Sequence, residues 1–311
     1  MKFLGCLNDS KAKYFSLGEI YSRIPDTDLI LNEDSSVYHL RIRPQDLADT
    51  VIIVGHPDHL NLITKHFSEI LFISNNREFA SQTGVVQGKT ITALSTGVGT
   101  SKADIVMNEL DAVKNIDFLT REQLQNARTT RIIGIRITNT IQSDLPAGSI
   151  FLTSHVIGLD NVMNYYRGLQ EITDAELKLA FNNQIKWTDD NIIPYFLKGS
   201  ECLKSIFMKY FISGITVTVP GFYGPQGRYL RIPLRTNMML HELNLFRYNN
   251  LRVLNLDMDT SAYYAFSALM GHEVITINAV VASTLTAKDS NETTSVVEKV
   301  VGIVLKEILS M

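Results

Sequence analysis

Strands and helices alternate along this chain almost to its end. That predicts an α/β fold: a single domain with a mixed, twisted central β-sheet flanked by helices. Three observations carry the prediction. Short β-branched runs, such as Thr50-Val51-Ile52-Ile53-Val54, have the length and composition of buried strands. Apolar residues at helical spacing follow several of these runs, most clearly Val297, Val300, Val301, Val304 and Ile308, a stripe that reads as core packing. No linker, low-complexity run or repeat divides the chain, so residues 37–311 read as one domain behind an N-terminal extension, residues 1–36.

Taken in order, the extension is polar, with a short helix expected near residues 17–24. Val37-Tyr38-His39-Leu40 alternates like a strand. The strand at 50–55 runs through Gly55 into His56-Pro57-Asp58-His59 and a helix bearing Leu60, Leu62, Ile63 and Phe67. A strand–glycine turn–helix layout aims backbone N–H groups at an anion, although an ordinary βα turn has the same form. A strand at 69–73 leads past Arg77 to a hairpin through Gly84 and Gly88. The strand at 90–96 ends at Thr96-Gly97-Val98-Gly99, and a helix over 102–113 follows. Residues 115–130 read as a surface insertion.

The strand at 131–138 is apolar except for Arg136, and a charge inside a strand needs a partner or a ligand. Further strands are expected at 148–155, 215–219, 251–256 and 273–282. Helices are expected at 174–185 (capped by Asp174), 192–210 (broken near Gly199), 237–248, 262–270 (closed by Gly271) and 293–309.

The 311 residues are 45% hydrophobic with a formal net charge of -3, ordinary for a chain with a large core. No basic surplus points to nucleic acid, and no run reaches the ~18 apolar residues of a membrane span. The apolar stretch before Asn8 is shorter than the ~7–15 residues of a secretory signal. Cys6 and Cys202 lie far apart without metal-ligand spacing, which suggests a reducing compartment, the cytoplasm. His66, His155, His241 and His272 show no ligand spacing either, and no metal is expected.

One turn stands out: Pro220-Gly221-Phe222-Tyr223-Gly224-Pro225-Gln226-Gly227-Arg228. Gln offers a donor and an acceptor side by side, and Arg offers only donors. Uracil presents acceptor, donor, acceptor along one edge. Gln226 matches the first two, Arg228 the third, and Phe222 has a face for the ring. An ordinary Gly/Pro turn with solvated polar residues has the same composition.

Together with this turn, Val37-Tyr38-His39-Leu40, Val54-Gly55-His56-Pro57-Asp58, Arg77-Glu78-Phe79, Ser95-Thr96-Gly97-Val98-Gly99, Arg136-Ile137-Thr138 and Asn255 to Ser261 match in order and spacing. On these stretches the chain resembles the nucleoside phosphorylase family of the uridine phosphorylase type. The resemblance implies a nucleoside phosphorylase-like fold. It also implies phosphorolysis of uridine, or a related pyrimidine nucleoside, to uracil and ribose 1-phosphate, with inorganic phosphate as co-substrate and no other cofactor. It assigns phosphate binding to Gly55, Arg77, Arg136 and Asn139, and ribose binding to His39, Thr96, Met258 and Asp259. Phe222, Gln226 and Arg228 would hold the base, with Arg136 and Arg228 as the catalytic groups. In this family the histidine and the first arginine serve a neighbouring subunit, so a homodimer is the expected minimal active unit and a hexamer of three dimers the usual assembly.

The pattern breaks around phosphate and ribose. His59 stands where an arginine is usual, and a neutral imidazole brings no charge. The glycine-containing loop after Arg136 is Thr138-Asn139-Thr140. Asp257 and Asp259 replace glutamates, and Ser283-Thr284 replaces Asn-Arg. Two alternatives therefore stand beside the phosphorylase: a weak or inactive nucleoside-binding paralogue, and a nucleoside hydrolase.

Overall fold

The computed structural model describes residues 23–187, 189, 191–235, 239–283 and 293–311. In chain order its strands are β1 (Thr50–Val54), β2 (Glu69–Asn76), β3 (Phe79–Val86), β4 (Lys89–Ser95), β5 (Ile116–Asp117), β6 (Glu122–Gln123), β7 (Arg131–Thr140), β8 (Ile150–Gly158), β9 (Tyr195–Lys198), β10 (Ile212–Thr218), β11 (Arg247–Tyr248), β12 (Leu251–Asp257) and β13 (Glu273–Ser283). Its helices are α1 (Pro57–Thr64), α2 (Thr100–Asn115), α3 (Leu169–Ile172), α4 (Ala175–Gln184), α5 (Glu201–Phe207), α6 (Met239–Leu245), α7 (Thr260–Met270) and α8 (Thr293–Ser310). Most of the helix expected near 17–24, together with Thr284 and the start of the helix at 237, lies outside the described residues.

The main sheet runs β11-β12-β10-β8-β13-β7-β1-β4-β3-β2, with β9 on the flank of β8. β12 also meets β7, antiparallel, with Asn255 opposite Thr140. Strands β7, β13, β8, β10 and β12 therefore close into a ring, and β1, β4, β3 and β2 extend from it as open sheet. The continuous apolar run of β1 follows from this position. Val51 and Ile53 pack toward α2 and α7, while Ile52 and Val54 pack toward α1, α5 and α8. A strand covered on both faces has no polar side to show.

Expected ends hold at several points. Asp174 accepts from the Leu177 N–H at 3.0 Å and starts α4. Gly271 takes a left-handed φ of 76° and ends α7. Val297, Val300, Val301, Val304 and Ile308 are all buried on α8.

Four expectations are corrected. Tyr38, His39 and Leu40 form a turn rather than a strand, because the Glu109 carboxylate takes the N–H groups of His39 and Leu40. The segment expected as a helix at 192–210 begins with β9, antiparallel to β8, and only then enters α5. Between them a Cβ on Gly199 would sit 2.9 Å from Ile275 Cδ1 and 3.2 Å from the Val274 carbonyl oxygen, so a larger residue there requires its neighbours to shift. Gly84 lies inside β3, beneath Phe67, and the hairpin turns at Gln87-Gly88 instead. Residues 115–130 are not merely superficial: Arg121 is buried and donates to the carbonyls of Ile24, Pro25 and Leu29, tying down the chain before β1.

Candidate active site

Parallel register brings three of the predicted residues into one row. Val54 is opposite Ser95 on β4 and opposite Ile135 on β7. One step further along, Gly55, Thr96 and Arg136 stand side by side where β1 and β4 end. The Thr96 N–H donates to the Val54 carbonyl at 3.0 Å. Gly55 also lies against the next loop, where a Cβ on it would be 3.5 Å from Val98. Carboxyl ends of parallel strands are where α/β sheets hold ligands.

The antiparallel closure supplies the fourth member. Asn255 on β12 lies opposite Thr140 on β7, and Asp259, just past the end of β12, lies beside Arg136. Arg136 Nε lies 3.3 Å from Asp259 Oδ1, with both side chains buried (8% and 4% exposed). The pair is not self-sufficient. Arg136 Nε and Nη1 and Asp259 Oδ2 have no hydrogen-bond partner in the protein. Buried charged groups almost always find partners, so open donors and an open acceptor in one place make this a candidate ligand site.

The surrounding groups set the charge. Burial works against the Arg136 cation, but Asp259, Tyr263 and Asp257 more than offset it and its pKa rises. Burial raises the pKa of Asp259, against the pull of Arg136 and a hydrogen bond from the Gly99 backbone. Gly99 has a φ of 108°, a conformation that favours glycine. Burial, then repulsion from Asp259, raises Asp257 as well. The two aspartates differ in use. Asp257 accepts from Thr218 Oγ1 at 2.6 Å, from the Thr260 N–H at 3.2 Å and from Thr260 Oγ1. Asp259 keeps an oxygen open. Met258 is half-buried between them, and Asn139 is half-buried with no side-chain hydrogen bond among the described residues.

The turn at 220–228 follows β10 directly. The Val219 N–H donates to the Asp257 carbonyl at 3.0 Å, so the turn begins beside Asp257. Gly227 has a φ of 74°, and a Cβ there would meet Leu240 at 2.6 Å. Gln226 is buried, whereas Phe222 and Tyr223 are exposed. Arg228 lies over the Phe222 ring, 3.9 Å from its centroid, and its Nη1 donates to the Phe222 carbonyl and to Gln226 Oε1. The three residues thus cluster as expected, but the ring face reserved for a base carries Arg228 itself. Burial lowers the pKa of Arg228. A cavity of about 1080 Å³ opens along the turn, walled by Trp187, Leu159, Leu240 and Arg231 among others.

His39 and Arg77 form a separate group. Arg77 sits in the β2–β3 turn at a φ of 55°. Its Nη2 donates to Tyr38 Oη at 3.2 Å, with the guanidinium 5.2 Å from the Tyr38 ring. His39 Nδ1 lies 2.6 Å from Glu109 Oε1. Among the described residues, no hydrogen bond, ion pair or ring contact joins this group to Arg136 or Arg228. Sequence reasoning missed Glu109, Thr218 and Tyr263. Tyr263 had a signal: it lies four residues after Asp259 on a helix, hence on the same face.

Burial, followed by repulsion from His56, lowers the pKa of His59, so it adds no charge near neutrality. No helix among the described residues is long and apolar enough to cross a membrane.

The chain matches the phosphorylase superfamily over residues 49–310. The uridine phosphorylase of Haemophilus influenzae is 25% identical over 277 residues, covering 87% of this chain and 96% of that protein. The uridine phosphorylase of Thermococcus kodakarensis is 24% identical over 286 residues, covering 90% and 87%. The crystal structure of the Trypanosoma brucei nucleoside phosphorylase, reported to show uridine phosphorylase activity, superposes with a TM-score of 0.83. At 24% identity it covers 91% of this chain and 100% of its own, a likeness of fold. A match of this extent identifies the chain: it belongs to the phosphorylase superfamily and is a pentosyltransferase of that fold.

Proposed function

We propose that the protein catalyses phosphorolysis of uridine, or a related pyrimidine nucleoside, to uracil and ribose 1-phosphate. One observation carries the reading: buried Arg136 holds two open N–H groups beside the open Oδ2 of Asp259. Open guanidinium donors suit a phosphate oxygen, and an open carboxylate oxygen suits a sugar hydroxyl. Phosphate bound by Gly55, Arg136 and Asn139 attacks C1′, and the bond from C1′ to the base nitrogen breaks. Thr96, Met258 and Asp259 line the ribose. Gln226 and Arg228 hold uracil, and Arg228 stabilises the negative charge on the leaving base, where stabilisation counts toward rate.

His39 and Arg77 act in this reading on a partner's site, supported by their separation from Arg136 within one chain. A homodimer is then the minimal unit, and three such dimers would make a hexamer. Residues 37–311 form the catalytic domain and residues 1–36 an extension. Two cysteines in the whole chain support a cytoplasmic setting.

One observation favours a nucleoside-binding protein with little turnover: Arg228 covers Phe222 and occupies one acceptor of Gln226. Ultraviolet assay of uracil release, with and without phosphate, decides between the readings. Release that requires phosphate is the expected result. Release without phosphate indicates a hydrolase. No release, with uridine still raising the melting temperature, leaves the binding protein.

A further inference from the structure

Closing the ring leaves one more buried polar atom beside Arg136 without a partner: the hydroxyl oxygen of Tyr263. The reaction just described gives this residue no role. Tyr263 lies on α7, one turn after Asp259, and is 3% exposed. The Arg136 guanidinium sits 5.2 Å from its ring centroid. Its hydroxyl is close enough to Thr96 and Arg136 for both to influence its ionisation.

A residue needed only for packing against Arg136 would do better as phenylalanine, because a buried hydroxyl without a partner is costly. What converges here is mainly donors. Arg136 contributes Nε and Nη1, and Tyr263 contributes an O–H that burial, the largest influence on its pKa of about 12, keeps protonated. Asp259 Oδ2 has no hydrogen-bond partner either, and Thr96 and Arg136 are the side chains that come near enough to the Tyr263 hydroxyl to lower its pKa. Meanwhile the phosphate side is short of one cation, since His59 is held neutral by burial and then by His56.

We propose that Tyr263 binds the co-substrate: its hydroxyl donates a hydrogen bond to the inorganic phosphate that Arg136 pairs with. The assignment rests on the phosphorolysis reading for its catalytic consequence, but its binding consequence can be measured alone.

Tyr263→Phe keeps the ring over Arg136 and removes only the hydroxyl. The expected result is a phosphate KM raised fivefold or more, with the uridine KM changed less than twofold. The rise in melting temperature that inorganic phosphate gives the wild-type protein should shrink in the variant. An unchanged phosphate KM together with an unchanged phosphate-dependent melting shift overturns the proposal, as does an equal rise in both KM values. If the wild-type protein releases no uracil yet phosphate stabilises it through Tyr263, phosphorolysis fails and the Tyr263 assignment stands. If phosphate does not stabilise the wild-type protein at all, the assignment fails too.

Discussion

The two arginines at the centre of the site are held in opposite ways. Arg136 is buried in β7 and meets its partner through a pairing between strands 115 positions apart, Asn255 on Thr140. Arg228 is on a turn, and its contacts with Phe222 and Gln226 all come from within six residues. A long-range pairing leaves Arg136 little choice of position, and its open N–H groups are preorganised. Arg228 stacks on its own neighbour and is held only by contacts of the turn itself. The rigid part suits an invariant anion, and the locally held part suits the base.

Three experiments break or sharpen that contrast. Arg136→Ala should have the largest effect, lowering kcat/KM for uridine by about a hundredfold or more, as when a preorganised transition-state donor is removed. It also strands Asp259 as a buried carboxylate and should destabilise the protein by about 3 kcal/mol, the usual cost of breaking a buried pair from one side. Denaturant melts and steady-state kinetics measure both, and wild-type values for either remove the phosphate role. Arg228→Ala should cost uridine about tenfold in kcat/KM, the worth of one charged hydrogen bond, while inosine loses less and stability barely changes. Equal losses for the two nucleosides would refute base reading by Arg228. The smallest signal comes from mixing two impaired variants, His39→Ala and Arg228→Ala, whose hybrid has one site free of both changes. Hybrid dimers should regain part of the wild-type rate, and no recovery after verified subunit exchange counts against a shared site.

The same contrast explains what could be read from the chain beforehand. The turn at 220–228 was legible because its geometry is local: proline, glycines, two aromatics and two planar polar groups sit in sequence. Arg136 was legible as an anomaly, a charge in an apolar strand. Its partner's geometry was not, because register between distant strands is a property of the closed ring. Short segments misled for a related reason. Tyr38-His39-Leu40 alternates like a strand, yet the Glu109 carboxylate captures its backbone donors from a helix 70 positions away. Tyr195–Lys198 is apolar enough for either helix or strand, and the flank of β8 decides. Tyr263 was hidden by its surroundings: in a helix that buries Ala262, Tyr264, Ala265 and Phe266, one more aromatic reads as core.

The bridge between Asn255 and Thr140 also bears on the order of assembly. Loop-closure entropy opposes contacts between distant segments until the intervening chain is in place. The Arg136–Asp259 pair does not exist in a half-folded chain, because its two members come from opposite sides of the meeting of β12 with β7. Whatever binds there favours the completed fold over every earlier state by mass action. Occupancy of that pair by a ligand therefore reports that β7 and the segment after β12 have come together.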